Sequence, residues 1–170
     1  MGIEIDTERY VLRELTGDDA TERYLGWLLD PYTRQFITAA GMTESLVDLR
    51  RYIEARAGRD DVLFLGIFDK ATGLHVGNIK YEPVDSVKGY AVMGIMIGDG
   101  AYRSIGTGSE VLRASCAWLK EHRGIRQILL GVSDRNPAAI KSYMKVGFVV
   151  TDSQYLKKSV AEQVIMVKKM

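Results

Sequence analysis

The chain has 170 residues, 46% of them hydrophobic, enough for one well-buried core and short for two, so residues 1–170 read as a single domain. With 23 basic against 22 acidic side chains the net charge is +1, and bulk charge gives no reason to expect nucleic acid or an anionic membrane as partner. The lone cysteine, Cys116, excludes an intrachain disulfide, and His75 and His122 stand outside any zinc-ligand spacing, so no metal site is expected.

Met1 to Asp6 is acidic where a signal peptide would be basic and then apolar. The longest apolar stretch, Tyr90 to Gly98, is too short to span a bilayer, and the chain reads as cytoplasmic. Tyr10 to Leu15 alternates as a first strand. Thr16 to Asp19 supplies capping groups for a helix through Leu28, stopped by Asp30-Pro31. A second helix begins at Thr43-Glu44-Ser45-Leu46 and sets Leu46, Leu49, Tyr52 and Ile53 on one face; Gly58 to Asp61 breaks it. Val62 to Phe68, His75 to Tyr81 and Tyr90 to Ile97 read as neighbouring antiparallel strands. A glycine loop, Gly98 to Gly108, then leads into a helix from Ser109 to about His122. A strand (Gln127 to Val132), a helix (Asn136 to Val146) and two closing strands (Phe148 to Val150, Gln163 to Val167) complete the chain. This order predicts an α+β fold with a mixed, mostly antiparallel central sheet flanked by helices.

The most informative segment is Arg103-Ser104-Ile105-Gly106-Thr107-Gly108, between an apolar strand and an amphipathic helix. Two glycines near a helix start allow a tight turn in which several N–H groups share one space, and the helix dipole favours an anion there. Arg103 adds a charge-assisted donor. A P-loop would need Lys and then Ser or Thr after its last glycine, where Ser109-Glu110 stands; a Rossmann fingerprint would need a small residue where Val111 stands. A plain strand-to-helix turn that needs glycine for its backbone angles is the remaining reading of the pair by itself.

Arg103-x-x-Gly106-x-Gly108 resembles the pyrophosphate-binding signature of the GNAT N-acetyltransferase superfamily. Asn136-Pro137-Ala138-Ala139-Ile140-Lys141-Ser142-Tyr143-Met144-Lys145-Val146-Gly147-Phe148 resembles that family's second stretch, at a matching separation. Trp27-Leu28-Leu29-Asp30-Pro31 and Gly77-Asn78-Ile79-Lys80 resemble the branch that includes ribosomal-protein N-terminal acetyltransferases and amino-sugar enzymes, which leaves a small amine, an amino sugar nucleotide and a protein N-terminus as acceptors. The resemblance implies the acyl-CoA N-acyltransferase fold, acetyl-CoA as donor and an amine as acceptor, and it leaves room for a homodimer. Arg103, Gly106 and Gly108, with the amides of Ser104, Ile105 and Thr107, would hold the pyrophosphate. The strand from Met93 through Met96 and Ile97 would offer backbone groups to the pantetheine arm, and Ile128 to Val132 would splay away from it.

Tyr143 is the candidate general acid, since a phenol of pKa near 10 can protonate a thiolate; packing of Ile140, Tyr143 and Val146 on one helix face is the competing reading. Asn136 is a candidate for both the catalytic and the cofactor site, although helix capping alone explains an asparagine there, and Tyr143 is a candidate for contact with the cofactor as well. The general base is the weak point: Ala91 to Ile97 holds no ionisable side chain, which leaves Glu82 as the candidate, with Asp85 and Glu110 behind it. Trp27, Tyr32, Phe36 and Tyr81 are aromatic candidates for an acceptor wall. Cys116 reads as core. A non-catalytic acetyl-CoA-binding sensor is the alternative function.

Overall fold

Alternation along Tyr10-Val11-Leu12 turns Tyr10 and Leu12 inward, and both are fully buried on the strand they form, β2 (Tyr10–Glu14). The computed structural model describes residues 2–170, with the backbone alone described at Thr38 and Ala39. On one side β2 pairs with β1 (Glu4–Asp6), too short to show a period in sequence, and on the other with β3 (Leu63–Asp69). The sheet continues through β4 (His75–Asp85), β5 (Tyr90–Ile97) and β6 (Gln127–Ser133). The last strand, β8 (Gln163–Lys169), lies between β6 and the short edge strand β7 (Val149–Val150). Only β5 and β6 run parallel; every other pairing is antiparallel. The mixed, mostly antiparallel sheet expected from the element order is therefore present.

Helices cover both faces. On one face, α1 (Glu22–Leu29) and α3 (Leu46–Glu54) bury Tyr24, Leu28, Leu49 and Ile53 against Phe64. On the other, α4 (Thr107–Arg123) sets Val111, Leu112 and Leu119 against Ile79, Tyr81 and Met93, and α5 (Pro137–Lys145) packs beside it through Ile140 and Tyr143. Period-2 alternation assigns neighbours on one strand to opposite faces, so Ile79 and Tyr81 go with α4 while Asn78, Lys80 and Glu82 face α1 and α3. No helix among the described residues is long and apolar enough to cross a membrane.

Several boundaries differ from the sequence reading for identifiable reasons. Thr16 to Asp19 makes its own single 3₁₀ turn, and α1 is capped instead by Thr21, whose side chain accepts from the Tyr24 N–H. Asp30 does more than end α1: its carboxylate accepts from the Thr33 N–H and opens a further short helix, α2 (Pro31–Arg34), with Pro31 in the first turn. Helix α4 starts at Thr107 because Gly106, with φ +84°, is itself the capping residue. Tyr81, expected as an acceptor wall, is fully buried on the opposite face, its hydroxyl 2.8 Å from Ser115 Oγ. Cys116 is buried beside it, as expected.

Trp27 is also not a pocket wall. Its ring lies over Gly98 at the end of β5, where a methyl group would fall inside the indole. This contact fixes α1 against the point where the strand becomes the glycine loop. Gly98→Ala should therefore overpack the junction and cost about 2 kcal/mol, within the usual 1–3 kcal/mol for such changes. Urea unfolding would show it as a lowered midpoint with unchanged slope.

Candidate active site

Strand β5 pairs with β4 from Tyr90 to Ile97, but with β6 only through Tyr90–Gln127, Ala91–Ile128 and Val92–Leu129. Beyond that point β6 stays paired with β8 as far as Ser133. The two parallel strands thus part, and Met93 to Ile97 gain an open edge, the splay that the sequence reading expected. Backbone groups of a strand alternate in direction. The Met96 carbonyl lies against Gly77 of β4, whereas the Ile97 carbonyl turns to the open side and accepts from Arg103 Nε at 2.9 Å. By the same alternation Ile95 presents its N–H to the gap, while the Met93 N–H, on the same side, belongs to the last rung with Leu129. Of the strand expected to offer backbone groups, Ile97 faces the opening and Met96 turns its carbonyl to the neighbouring strand.

A cavity of about 240 Å³ lies on the α4 and α5 side of this gap, with Ile95, Ile97, Gly106, Gly108, Leu112 and Tyr143 in its walls. Arg103, Ser104 and Thr107 complete it, so the whole expected loop except Ile105 lines one space. Ser104 and Gly106 both have positive φ, +60° and +84°, which folds the loop back on itself ahead of α4. No side chain caps α4, and the N–H groups of a first helical turn have no intrahelical acceptor. Free amides, a helix dipole and the neighbouring Arg103 make this an anion cradle.

The cradle is held from behind. Glu110, on the first turn of α4, accepts from Thr7 Oγ1, the Arg9 N–H and Arg9 Nε, each at 2.7 Å, while a terminal nitrogen of Arg9 donates to the Ile105 carbonyl at 3.0 Å. Thr107 Oγ1 meets the Tyr10 hydroxyl at 2.7 Å. Burial pushes the Glu110 carboxyl up, but the bonds from Arg9 and Thr7 outweigh it and hold the group below the usual carboxylate range. This carboxylate is committed to fixing the loop rather than to taking protons.

Tyr143 lies on α5 and half-buried in the cavity wall, edge-on to Phe148 at 5.8 Å between ring centres. Burial raises its phenol to about 12, so it is protonated at neutral pH. Asn136 caps α5: its side-chain oxygen accepts from the Ala139 N–H at 3.2 Å, and it lines neither of the cavities beside the gap.

On the opposite face, between the sheet and the helices α1 and α3, a second cavity of about 360 Å³ has Tyr24, Leu28, Phe36 and Met96 in its walls and Asn78, Lys80 and Glu82 on its floor. Glu82 is ringed by cations: Arg56 Nε at 2.9 Å, Lys80 Nζ at 3.0 Å and an Arg59 nitrogen at 3.5 Å. Burial raises its carboxyl, and the bonds from Lys80 and Arg56 more than reverse this, leaving it below the ordinary range. Lys80 also donates to the Tyr52 hydroxyl at 2.6 Å, under an Arg56 guanidinium 3.7 Å above the Tyr52 ring. Asp85 accepts from the Lys88 N–H in a turn. Tyr32 is exposed and lines neither space, while Phe36 does line the second.

Tyr24 is a wall residue not expected from sequence, and Asn78, Lys80 and Glu82, singled out there for separate reasons, prove to form one polar floor. The signal was there: Asn78, Lys80 and Glu82 recur every second residue along a strand whose other face is apolar. Only the structure shows that this row faces a cavity.

A mixed sheet parted at its parallel pair, with an anion cradle at the mouth of the gap, is the acyl-CoA N-acyltransferase architecture. The sequence model of the acetyltransferase (GNAT) domain family matches residues 9–149. An acetyltransferase of the GNAT family from Bacillus anthracis superposes with a TM-score of 0.81 at 15% identity, covering 98% of each chain. RimL, a ribosomal-protein alpha-N-acetyltransferase in complex with coenzyme A, gives 0.85 at 13% identity over 99% of this chain and 98% of its own. AAC(6')-Ib in complex with parmomycin and acetyl-CoA gives 0.75 at 18% identity over 95% and 94%. No curated protein matches the sequence. The chain belongs to the GNAT acetyltransferase family.

The Glu110 clamp has a pH signature. A carboxyl with a lowered folded-state pKa contributes stability that is complete above its unfolded value, about 4.3, and lost as pH falls through the lowered value. Glu110→Gln should cost about 1–2 kcal/mol at pH 7 through the lost hydrogen bonds. Thermal melts of both proteins should converge as the pH drops below about 4.

Proposed function

We propose that the protein transfers the acetyl group of acetyl-CoA to a primary amine by direct attack in a ternary complex. The carrying observation is that two cavities on opposite faces of the sheet meet at the parted edge of β5, with Ile95 in the wall of both. A donor laid in one can be reached by a nucleophile from the other. The uncapped start of α4, the turned loop and Arg103 fit a pyrophosphate, which supports a donor on the α4 and α5 side. The RimL and AAC(6')-Ib complexes with coenzyme A and acetyl-CoA support that choice of donor.

Acetyl-CoA supplies the activated thioester. The N–H group of Ile95, the first beyond the last β5–β6 rung, is positioned to bond its carbonyl oxygen, where negative charge develops during attack. The amine nitrogen forms a C–N bond to the acetyl carbon as the C–S bond breaks; the amine loses a proton and the sulfur gains one. Tyr143 is the donor to sulfur, being protonated at neutral pH and in the wall of the donor cavity. Glu82 was the candidate base, yet a carboxylate paired to three cations is a weak proton acceptor. We read it as the anchor that sets Lys80 and Arg56, and assign the proton of the incoming ammonium to water in the acceptor cavity.

Acetyl-CoA at 100 times its dissociation constant should stabilise the protein by about 2.7 kcal/mol, and Arg103→Gln should reduce that shift. Tyr143→Phe should lower kcat about 100-fold with acetyl-CoA affinity little changed, the loss expected of a general acid. A protein stabilised by acetyl-CoA whose Tyr143→Phe variant turns over at full rate would remove Tyr143 from the chemistry. Stabilisation without release of CoA to any amine would leave a sensor.

A further inference from the structure

The floor of the acceptor cavity contains a donor with nothing to bond. Asn78 is 4% exposed, and its Nδ2 is the one buried side-chain polar atom without a hydrogen-bond partner among the described residues. Its orientation follows from its neighbour. His75 Nε2 lies 3.0 Å from the Gly77 carbonyl, which can only accept, so this nitrogen carries the proton. The same nitrogen lies 2.8 Å from Asn78 Oδ1, which therefore accepts, and Nδ2 is turned away from His75. The imidazole cannot swing to reverse this. It stacks on Phe68 at 4.7 Å and is boxed edge-on by Trp27 and Tyr24, and burial lowers its pKa, keeping the ring neutral. A buried donor held in this orientation is costly unless something accepts from it.

The charges around the cavity say what that something is. Among its described lining residues the charged ones are Lys80, Glu82 and Lys157. Glu82 is already engaged by Arg56, Arg59 and Lys80, so no carboxylate remains for a cationic ligand. Lys80 bonds Glu82 and the Tyr52 hydroxyl, which leaves one of its three N–H donors. Asn78 and Lys80 are two residues apart on β4 and present these donors on one face, opposite Met96 and Gly94 of β5. The walls above them, with Leu28, Phe36 and Met96, are apolar.

Resting on the acetyltransferase reading, we infer that the acceptor is an amine that also carries an anionic group, a carboxylate or a phosphate, received by Asn78 Nδ2 and Lys80 Nζ. Acceptors whose further charges are all ammonium groups are disfavoured, since each would meet Lys80 and Lys157 without an unpaired carboxylate.

The test measures CoA release from acetyl-CoA with matched amines: phenylalanine against phenethylamine, glucosamine 6-phosphate against glucosamine, and spermidine as the polycation. The anionic member of at least one pair should be used at least tenfold better in kcat/KM than its partner, and the pair that responds distinguishes carboxylate from phosphate. Asn78→Asp keeps an oxygen for His75 and replaces the free donor by a charged acceptor. It should raise KM for the anionic amine at least tenfold and leave KM for acetyl-CoA unchanged. Equal use within both pairs, preference for spermidine, or a protein that acetyl-CoA stabilises but that uses none of these amines would overturn the inference and leave the donor assignment standing. Absence of any stabilisation by acetyl-CoA would instead bring down the acetyltransferase reading beneath it.

Discussion

Everything about the site depends on the rungs missing between β5 and β6 beyond Val92 and Leu129. Had β5 and β6 remained paired past Val92 and Leu129, the sheet would be a continuous wall and its faces could not exchange chemistry. The parting costs hydrogen bonds that a regular parallel pair would make, and each strand compensates on its other side, β5 with β4 and β6 with β8. The N–H group of Ile95 is then left unpaired at the level of the sheet itself. A backbone edge is a good place for it: it is held by the whole sheet and needs no reorganisation when charge develops nearby.

The two sides of the gap are built by different means. The donor side is made largely of backbone, with positive-φ turns at Ser104 and Gly106 and an uncapped helix start, braced by side chains that point away from the ligand. Arg9, Thr7 and Glu110 tie the β1–β2 turn to α4, and Tyr10 reaches Thr107 through the core. The acceptor side is made of side chains, a polar row on β4 under an apolar roof from α1 and its following segment. Side chains on a strand face can vary without disturbing the ladder, so one fold can carry many different sites.

This division explains what the sequence could reveal. The loop is legible because backbone chemistry demands particular residues at fixed spacing: Gly106 where φ is +84°, Arg103 where the strand ends. The strands and helices were legible from period, and the sheet class from their order. Three things were not. Strand β1 has too few residues to show alternation. Tyr81 and Trp27 look like pocket aromatics until a register and a crossing place them, one under Ser115 and one over Gly98. The state of Glu82 depends on Arg56 and Arg59 from the end of another helix and the loop beyond it, a contact between segments that no local pattern announces.

The parted strands also have a mechanical consequence. A crack between two half-sheets, each fully bonded on its outer side, has no ladder to break when it widens beyond Val92 and Leu129. The halves are joined at the closed end, where the Arg126 and Gln127 N–H groups both donate to the Gly89 carbonyl and the Met170 N–H donates to Arg126. That closed end fixes the spacing of the strands at Ala91, whereas no rung fixes it at Ile95. Widening the crack at Ile95 would therefore break no strand pairing on either side of it.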